Sequence, residues 1–227
     1  MKQHLIVDAD DTLWENNIYF ERAFEEFTAF LAHSSLDALQ LRAALDEIEI
    51  VNAKIHGYGS KNFGRNMKEC YRRLCEREIR DGDLDTVMSF AERILECPME
   101  LIEGVKETLK ELSSRHDLTL FTKGHPDEQK LKVERSGLGV YFAHTAIVKE
   151  KDCAAYGRLV EERGFDASRA WMIGNSPKSD INPALECGLN AVFVPHARTW
   201  TLEREEIRPG AGRLLVIERF ADLRDYF

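Results

Sequence analysis

The stretch VDADDTLWENN, residues 7–17, closes a short apolar run, His4 to Val7, with three carboxylates among four residues. Asp8, Asp10 and Asp11 repel one another, and no basic residue adjoins them in sequence, so either they face water or a cation gathers them. An apolar segment of this length that breaks into aspartates reads as the end of a β-strand. In open α/β sheets, ligands bind beyond the carboxyl ends of the strands. The residues just past the other strands therefore decide whether the aspartates form a site.

The pattern changes twice along the chain. One strand leads up to about Trp14, and from about Glu15 to Cys97 only helical spacing is found. In SKNFGRNMKECYRRLCEREI, residues 60–79, Phe63, Met67, Cys70, Tyr71, Leu74 and Cys75 recur at spacings of three and four, with Ser60 as the expected N-cap. After Pro98, helices (104–113, 152–163 and 177–186) alternate with the strands LTLFT, HTAIV, AWMIG, NAVFV and RLLVI. Short apolar strands that alternate with helices predict a parallel, doubly wound α/β sheet. The expected organisation is a Rossmann-like core over residues 1–14 and 98–227, with an all-helical domain, 15–97, inserted after the first strand.

Composition sets the class of partner. The chain of 227 residues is 44% hydrophobic and 31% charged, and no run nears the roughly 18 apolar residues of a membrane span. A net charge of −9 disfavours nucleic acid and anionic membranes, which leaves a small molecule, or no partner, as the expectation. The N-terminus passes from a short strand straight into charge without a signal-peptide core, so a cytoplasmic location is expected. The five cysteines lack metal-binding spacing and read as small apolar residues in a reducing compartment.

Carboxylates, a hydroxyl and lysines stand at the predicted strand ends. The first strand runs into Asp8, Asp10 and Thr12, and the LTLF strand into Thr122, Lys123 and Gly124. Lys149 and Lys151 come after the third strand, and Gly174-Asn175-Ser176 after the fourth, with Asp180 six residues beyond Gly174. These four motifs, in this order and on these element ends, resemble the haloacid dehalogenase superfamily of phosphohydrolases, in its branch with a helical cap inserted after the first motif. The resemblance covers the whole chain. It implies that Asp8 is a nucleophile that forms an aspartyl-phosphate, and that Asp10 is the general acid and then the base. It further implies Mg2+ held by Asp8, the carbonyl of Asp10 and Asp180, with Asn175 nearby, and a phosphate held by Thr122, Lys123 and Lys151. KDCAAY opens a helix as the family's motif lysine does, which favours Lys151 over Lys149. Asp11, where relatives often carry Gly, reads as a turn or cap residue.

Asn175 departs from the pattern, because many relatives carry Asp there, and the amide removes one negative charge from the cation's surroundings. Substrate choice is expected in the cap, where Tyr58 offers an aromatic face and Lys61 and Arg65 stand one helical turn apart. For the last two, a solvated helix face is the more usual reading of such spacing. The activity expected is hydrolysis of a small phosphorylated metabolite by a monomer or homodimer. A phosphoryl-transfer mutase and a non-catalytic phosphate-binding or regulatory module are the alternatives. Relatives that dehalogenate lack an acid/base Asp at the position of Asp10, which disfavours that chemistry.

Overall fold

Leu5, Ile6 and Val7 are almost wholly withdrawn from solvent because the strand that carries them, β1 (His4–Val7), lies inside a parallel sheet. The computed structural model describes residues 2–31 and 35–227. After β1 come four helices: α1 (Asn17–Phe30), α2 (Ala38–His56), α3 (Ser60–Leu74) and α4 (Asp83–Glu92). Next are α5 (Val105–Ser113), β2 (Asp117–Lys123), α6 (Pro126–Ser136), β3 (His144–Val148) and α7 (Cys153–Arg163). The chain ends with β4 (Ala170–Gly174), the short α8 (Asn182–Glu186), β5 (Asn190–Phe193) and β6 (Leu214–Val216). The sheet order is β3-β2-β1-β4-β5-β6 with every pairing parallel, which is the doubly wound α/β fold predicted.

Because side chains alternate across a strand, β1 feeds two cores. Leu5 and Val7 join Leu118, Leu120, Trp171 and Ile173 against Val105, Leu109 and Leu112 of α5. Ile6 points the other way and joins Phe121 and Met172 against Ala155, Tyr156 and Leu159 of α7. A sheet covered on both faces explains why its strands read as continuous apolar runs.

The chain divides into two units, Met1–Asn17 with Met99–Phe227, and Ile18–Pro98. The first division falls three residues later than the sequence suggests, because the Glu15 amide donates to the Glu100 carbonyl at 2.9 Å and keeps that segment with the sheet. The helical unit has its own core, in which Phe27, Leu45, Phe63, Met67, Cys70, Tyr71 and Val87 are buried.

Three local expectations change. Gly59 occupies the N-cap position of α3 and Ser60 is its first helical residue, with no side-chain cap. Residues 177–186 form not one α-helix but a wide turn, Pro177–Ile181, continued by α8. Pro183 has no N–H to donate to the Ser179 carbonyl, which accepts instead from the Tyr156 hydroxyl at 3.0 Å. Cys153, at the start of α7, and Cys187, just after α8, are joined in a disulfide, where the sequence predicts five unpaired cysteines.

Candidate active site

The adjacency of β2, β1 and β4 places three strand ends side by side. The Asp8 amide donates to the Ile173 carbonyl at 2.9 Å, which pins the residue to the end of β4. Lys151 reaches the same point from the loop before α7, with its side chain only 1% exposed. Its Nζ lies 2.5 Å from Asp8 Oδ1 and 2.7 Å from Asp180 Oδ1. Burial works to lower the lysine's pKa, but the Asp180 and Asp8 carboxylates outweigh it and keep the ammonium charged. For Asp180, burial and the charge of Asp8 push the pKa up, against the pull of Lys151. Lys149 is exposed.

Gly174 is required by the carboxylate that folds back over it: a Cβ there would stand far inside contact distance of Asp180 Oδ2, a clash that something must move to relieve. With that space open, Asp180 Oδ2 accepts the Ser176 amide at 3.0 Å. Thr12 Oγ1 lies 2.9 Å from Asp8 Oδ2 and 3.2 Å from Asn175 Oδ1, one proton facing two acceptors. Asn175 Nδ2 donates to Thr199 Oγ1 at 2.9 Å, so the amide links the first motif to a later loop.

Three donors surround Asp10. Trp14 Nε1 lies 2.8 Å from its Oδ1, Gln129 Nε2 2.9 Å from Oδ2, and Lys132 Nζ 2.9 Å from Oδ2. Gln129 also donates to Thr122 Oγ1 at 3.2 Å, so the buried Thr122 hydroxyl and the Asp10 carboxylate share one amide. Lys123 does not join this group. Successive residues of a strand face opposite sides, and the ammonium turns to Glu203 Oε1 at 2.6 Å and Ser179 Oγ at 2.9 Å. The sequence motifs do not single out Gln129 and Lys132, although both share a helix face after the Thr122 motif. Thr199 and Glu203 lie in loops where no spacing points to them.

Asp11 has a left-handed backbone, φ 58, and its carboxylate accepts the amides of Asn16 and Asn17 at 2.9 and 3.0 Å, which caps the entry to α1. Burial raises its pKa to about 7. Beside it stand Glu15 and His196, with His196 Nε2 3.3 Å from Glu15 Oε1. The three groups offer ligand atoms within 4.8 Å of one another.

The donor set suits a hard cation. Asp8 and Asp180 supply oxygens only, and together they bring two carboxylates to one lysine in a buried setting. Asn175 Nδ2 is engaged by Thr199, while its Oδ1 faces the Thr12 hydroxyl at 3.2 Å. In the helical unit, Lys61 and Arg65 are exposed on α3, where Arg65 donates to Asn62 Oδ1 at 3.0 Å, and Tyr58 stands half-buried in the bend before the helix.

The pattern of the haloacid dehalogenase-like hydrolases matches residues 2–188. A phosphoserine phosphatase of Thermus thermophilus is 24% identical over 221 residues, covering 92% of this chain and 80% of that protein. Among solved structures, a haloacid dehalogenase-like family hydrolase from Xanthomonas campestris superposes with a TM-score of 0.85 at 30% identity, covering 99% of this chain and 94% of that one. The HAD-hydrolase YfnB of Bacillus subtilis, bound to magnesium, gives 0.70 at 17%, with 99% and 98% covered. The L-2-haloacid dehalogenase of Xanthobacter autotrophicus gives 0.67 at 14%, with the same coverage, a likeness of fold alone. With the motif residues gathered at the ends of β1, β2 and β4, and with the pattern matched over most of its length, the chain belongs to the haloacid dehalogenase-like hydrolases.

Proposed function

We propose that the protein is a magnesium-dependent phosphatase that hydrolyses a small phosphorylated metabolite through an aspartyl-phosphate on Asp8. The observation that carries this reading is the pair of carboxylates two residues apart at the end of β1: one is held by a buried lysine, as a nucleophile needs, and the other stands in a separate set of donors. The likeness to the Thermus phosphoserine phosphatase supports it.

An Asp8 oxygen attacks phosphorus while the bond to the leaving oxygen breaks, and Asp10 gives that oxygen its proton. Water then attacks phosphorus, Asp10 takes its proton, and Asp8 is released with inorganic phosphate. To carry the proton, Asp10 must exchange one of its three donors for the substrate. Lys151 offsets the repulsion between Asp8 and the incoming phosphate, and the Thr122 hydroxyl offers a donor to a phosphoryl oxygen. Asp8, Asp180 and the Asp10 carbonyl would hold magnesium, which when bound supplies further positive charge against the phosphoryl oxygens. Tyr58, Lys61 and Arg65 of the helical unit remain the candidates for choosing the metabolite. Phosphorylated metabolites are charged and do not cross membranes unaided, so we assign the activity to the cytoplasm.

The test is phosphate release from p-nitrophenyl phosphate with magnesium or with a chelator, run beside chloride release from 2-chloropropionate. Phosphate release that needs magnesium is expected. Chloride release without phosphate release would replace this reading with dehalogenation.

A further inference from the structure

Glu203 lies outside the family match, which ends at residue 188, on a single turn of 3-10 helix between β5 and β6. It is nonetheless among the most deeply placed carboxylates of the core unit, with a side chain 9% exposed. Oε1 is 2.6 Å from Lys123 Nζ, and Oε2 accepts Ser176 Oγ at 2.6 Å and Ser179 Oγ at 2.5 Å. Burial works to raise its pKa, but Lys123 and the two serine hydroxyls more than offset this and hold the group below its usual value. At neutral pH it is a carboxylate with both oxygens engaged.

The residues it joins belong to two strand ends. Lys123 adjoins Thr122 on β2, and Ser176 and Ser179 belong to the loop between β4 and α8 that carries Asp180. In the sheet, β2 and β4 are the two neighbours of β1, the strand that presents Asp8. The loop's own bonds continue the chain of contacts: Ser179 N donates to Ser176 Oγ at 2.9 Å, and Ser176 N to Asp180 Oδ2 at 3.0 Å. The same late segment grips the loop twice more. Thr199 Oγ1 accepts from Asn175 Nδ2 at 2.9 Å, and the Leu202 carbonyl accepts from Lys178 Nζ at 2.9 Å.

We propose that Glu203 is a positioning residue: through Lys123, Ser176 and Ser179 it ties together the ends of the two strands that flank β1, and so sets Thr122 and Asp180 in register with Asp8. Lys123 then serves the brace rather than the phosphate. The kinetic side of this inference rests on the phosphatase reading, while the brace itself does not.

Two variants separate charge from span. Glu203→Gln keeps the length and removes the charge that Lys123 faces, whereas Glu203→Asp keeps the charge but is one methylene too short to hold Lys123 and both serines. Both are expected to lower kcat toward p-nitrophenyl phosphate with magnesium by about 10- to 100-fold, the usual cost of losing a residue that orients a ligand or catalytic group. KM should move less than about threefold, and the loss should exceed any unfolded fraction seen by circular dichroism. In parallel, hydrogen exchange at the amides of Ser176 and residues 178–180 should quicken while β1 and β4 amides keep their protection.

Wild-type kcat in both variants overturns the proposal, as does a loss that merely tracks the unfolded fraction. If the wild-type protein hydrolyses no phosphate ester, the phosphatase reading fails by itself, and exchange still decides the brace. Unchanged exchange at Ser176 and residues 178–180 in both variants overturns it whatever the kinetics.

Discussion

Asp8 faces the buried Lys151 ammonium on one oxygen and the Thr12 hydroxyl on the other. Asp8→Asn keeps the shape and an acceptor oxygen but removes the nucleophile, and turnover should fall by at least about a thousandfold in a folded protein. Near-wild-type activity in a variant with an unchanged circular dichroism spectrum would rule out the aspartyl-phosphate. The lysines offer a sharper comparison. Lys151 separates the Asp8 and Asp180 carboxylates, whereas Lys149 is exposed. Lys151→Ala should cost about two to three orders of magnitude in kcat, and also stability, since breaking a buried ion pair typically costs about 3–5 kcal/mol. Lys149→Ala should stay within about twofold on both counts. Parallel steady-state kinetics and thermal melts check the ranking, and equal losses would mean that the buried lysine is not the phosphate's counter-charge.

The loop after β4 ties element geometry to chemistry. At its start, Gly174 leaves the space into which the Asp180 carboxylate folds, so Gly174→Ala must push that carboxylate away from Lys151 or bend the end of the strand. The expected cost is about 1–3 kcal/mol of stability, as for overpacking elsewhere, with kcat down at least about tenfold. A melt unchanged within a degree and full activity would show that the loop yields freely. This loop also marks how far the sequence can be read. The strands are legible because both faces are buried, and the residues at their ends are legible because chemistry-bearing side chains cluster where apolar runs stop. The wide turn at Pro177–Ile181 is hidden, since it depends on Pro183 freeing a carbonyl for Tyr156, a residue of another element. The resemblance assigns Lys123, beside Thr122, to the phosphate, yet strand alternation sends neighbours to opposite faces. Thr199 lies in irregular chain and Glu203 on a single turn of 3-10 helix, too short for any period to mark a buried side chain, so only the folded segment reveals their partners.

At the scale of the whole molecule, the sheet unit and the helical unit, each with its own buried core, share a net charge of −9. The helical unit carries an acid where burial is expensive. Glu49 on α2 is buried, and burial raises its pKa to about 7, with Asp46 adding to the rise and Arg42 opposing it. Its folded pKa exceeds the ordinary value of 4.5, so the folded state binds the proton more tightly than the unfolded chain. The resulting stability is fully present below about pH 4.5 and is lost as pH rises through about 7. Glu49→Gln keeps the volume and the acceptor for Arg42 without a charge to bury, and Arg42 retains Asp46, 2.7 Å from its Nε. The variant should therefore match the wild type near pH 4.5 and exceed it near pH 8, by no more than about 3 kcal/mol for a shift of this size. The probes can be separated, because all three tryptophans, Trp14, Trp171 and Trp200, belong to the core unit. Far-ultraviolet circular dichroism, weighted toward the helical unit, should show the pH-dependent gain in urea unfolding, and tryptophan fluorescence should show less of it. A variant that loses stability at pH 8 would mean that the Arg42 ion pair outweighs the desolvation of Glu49, and the sign of the pH dependence in the helical unit would reverse.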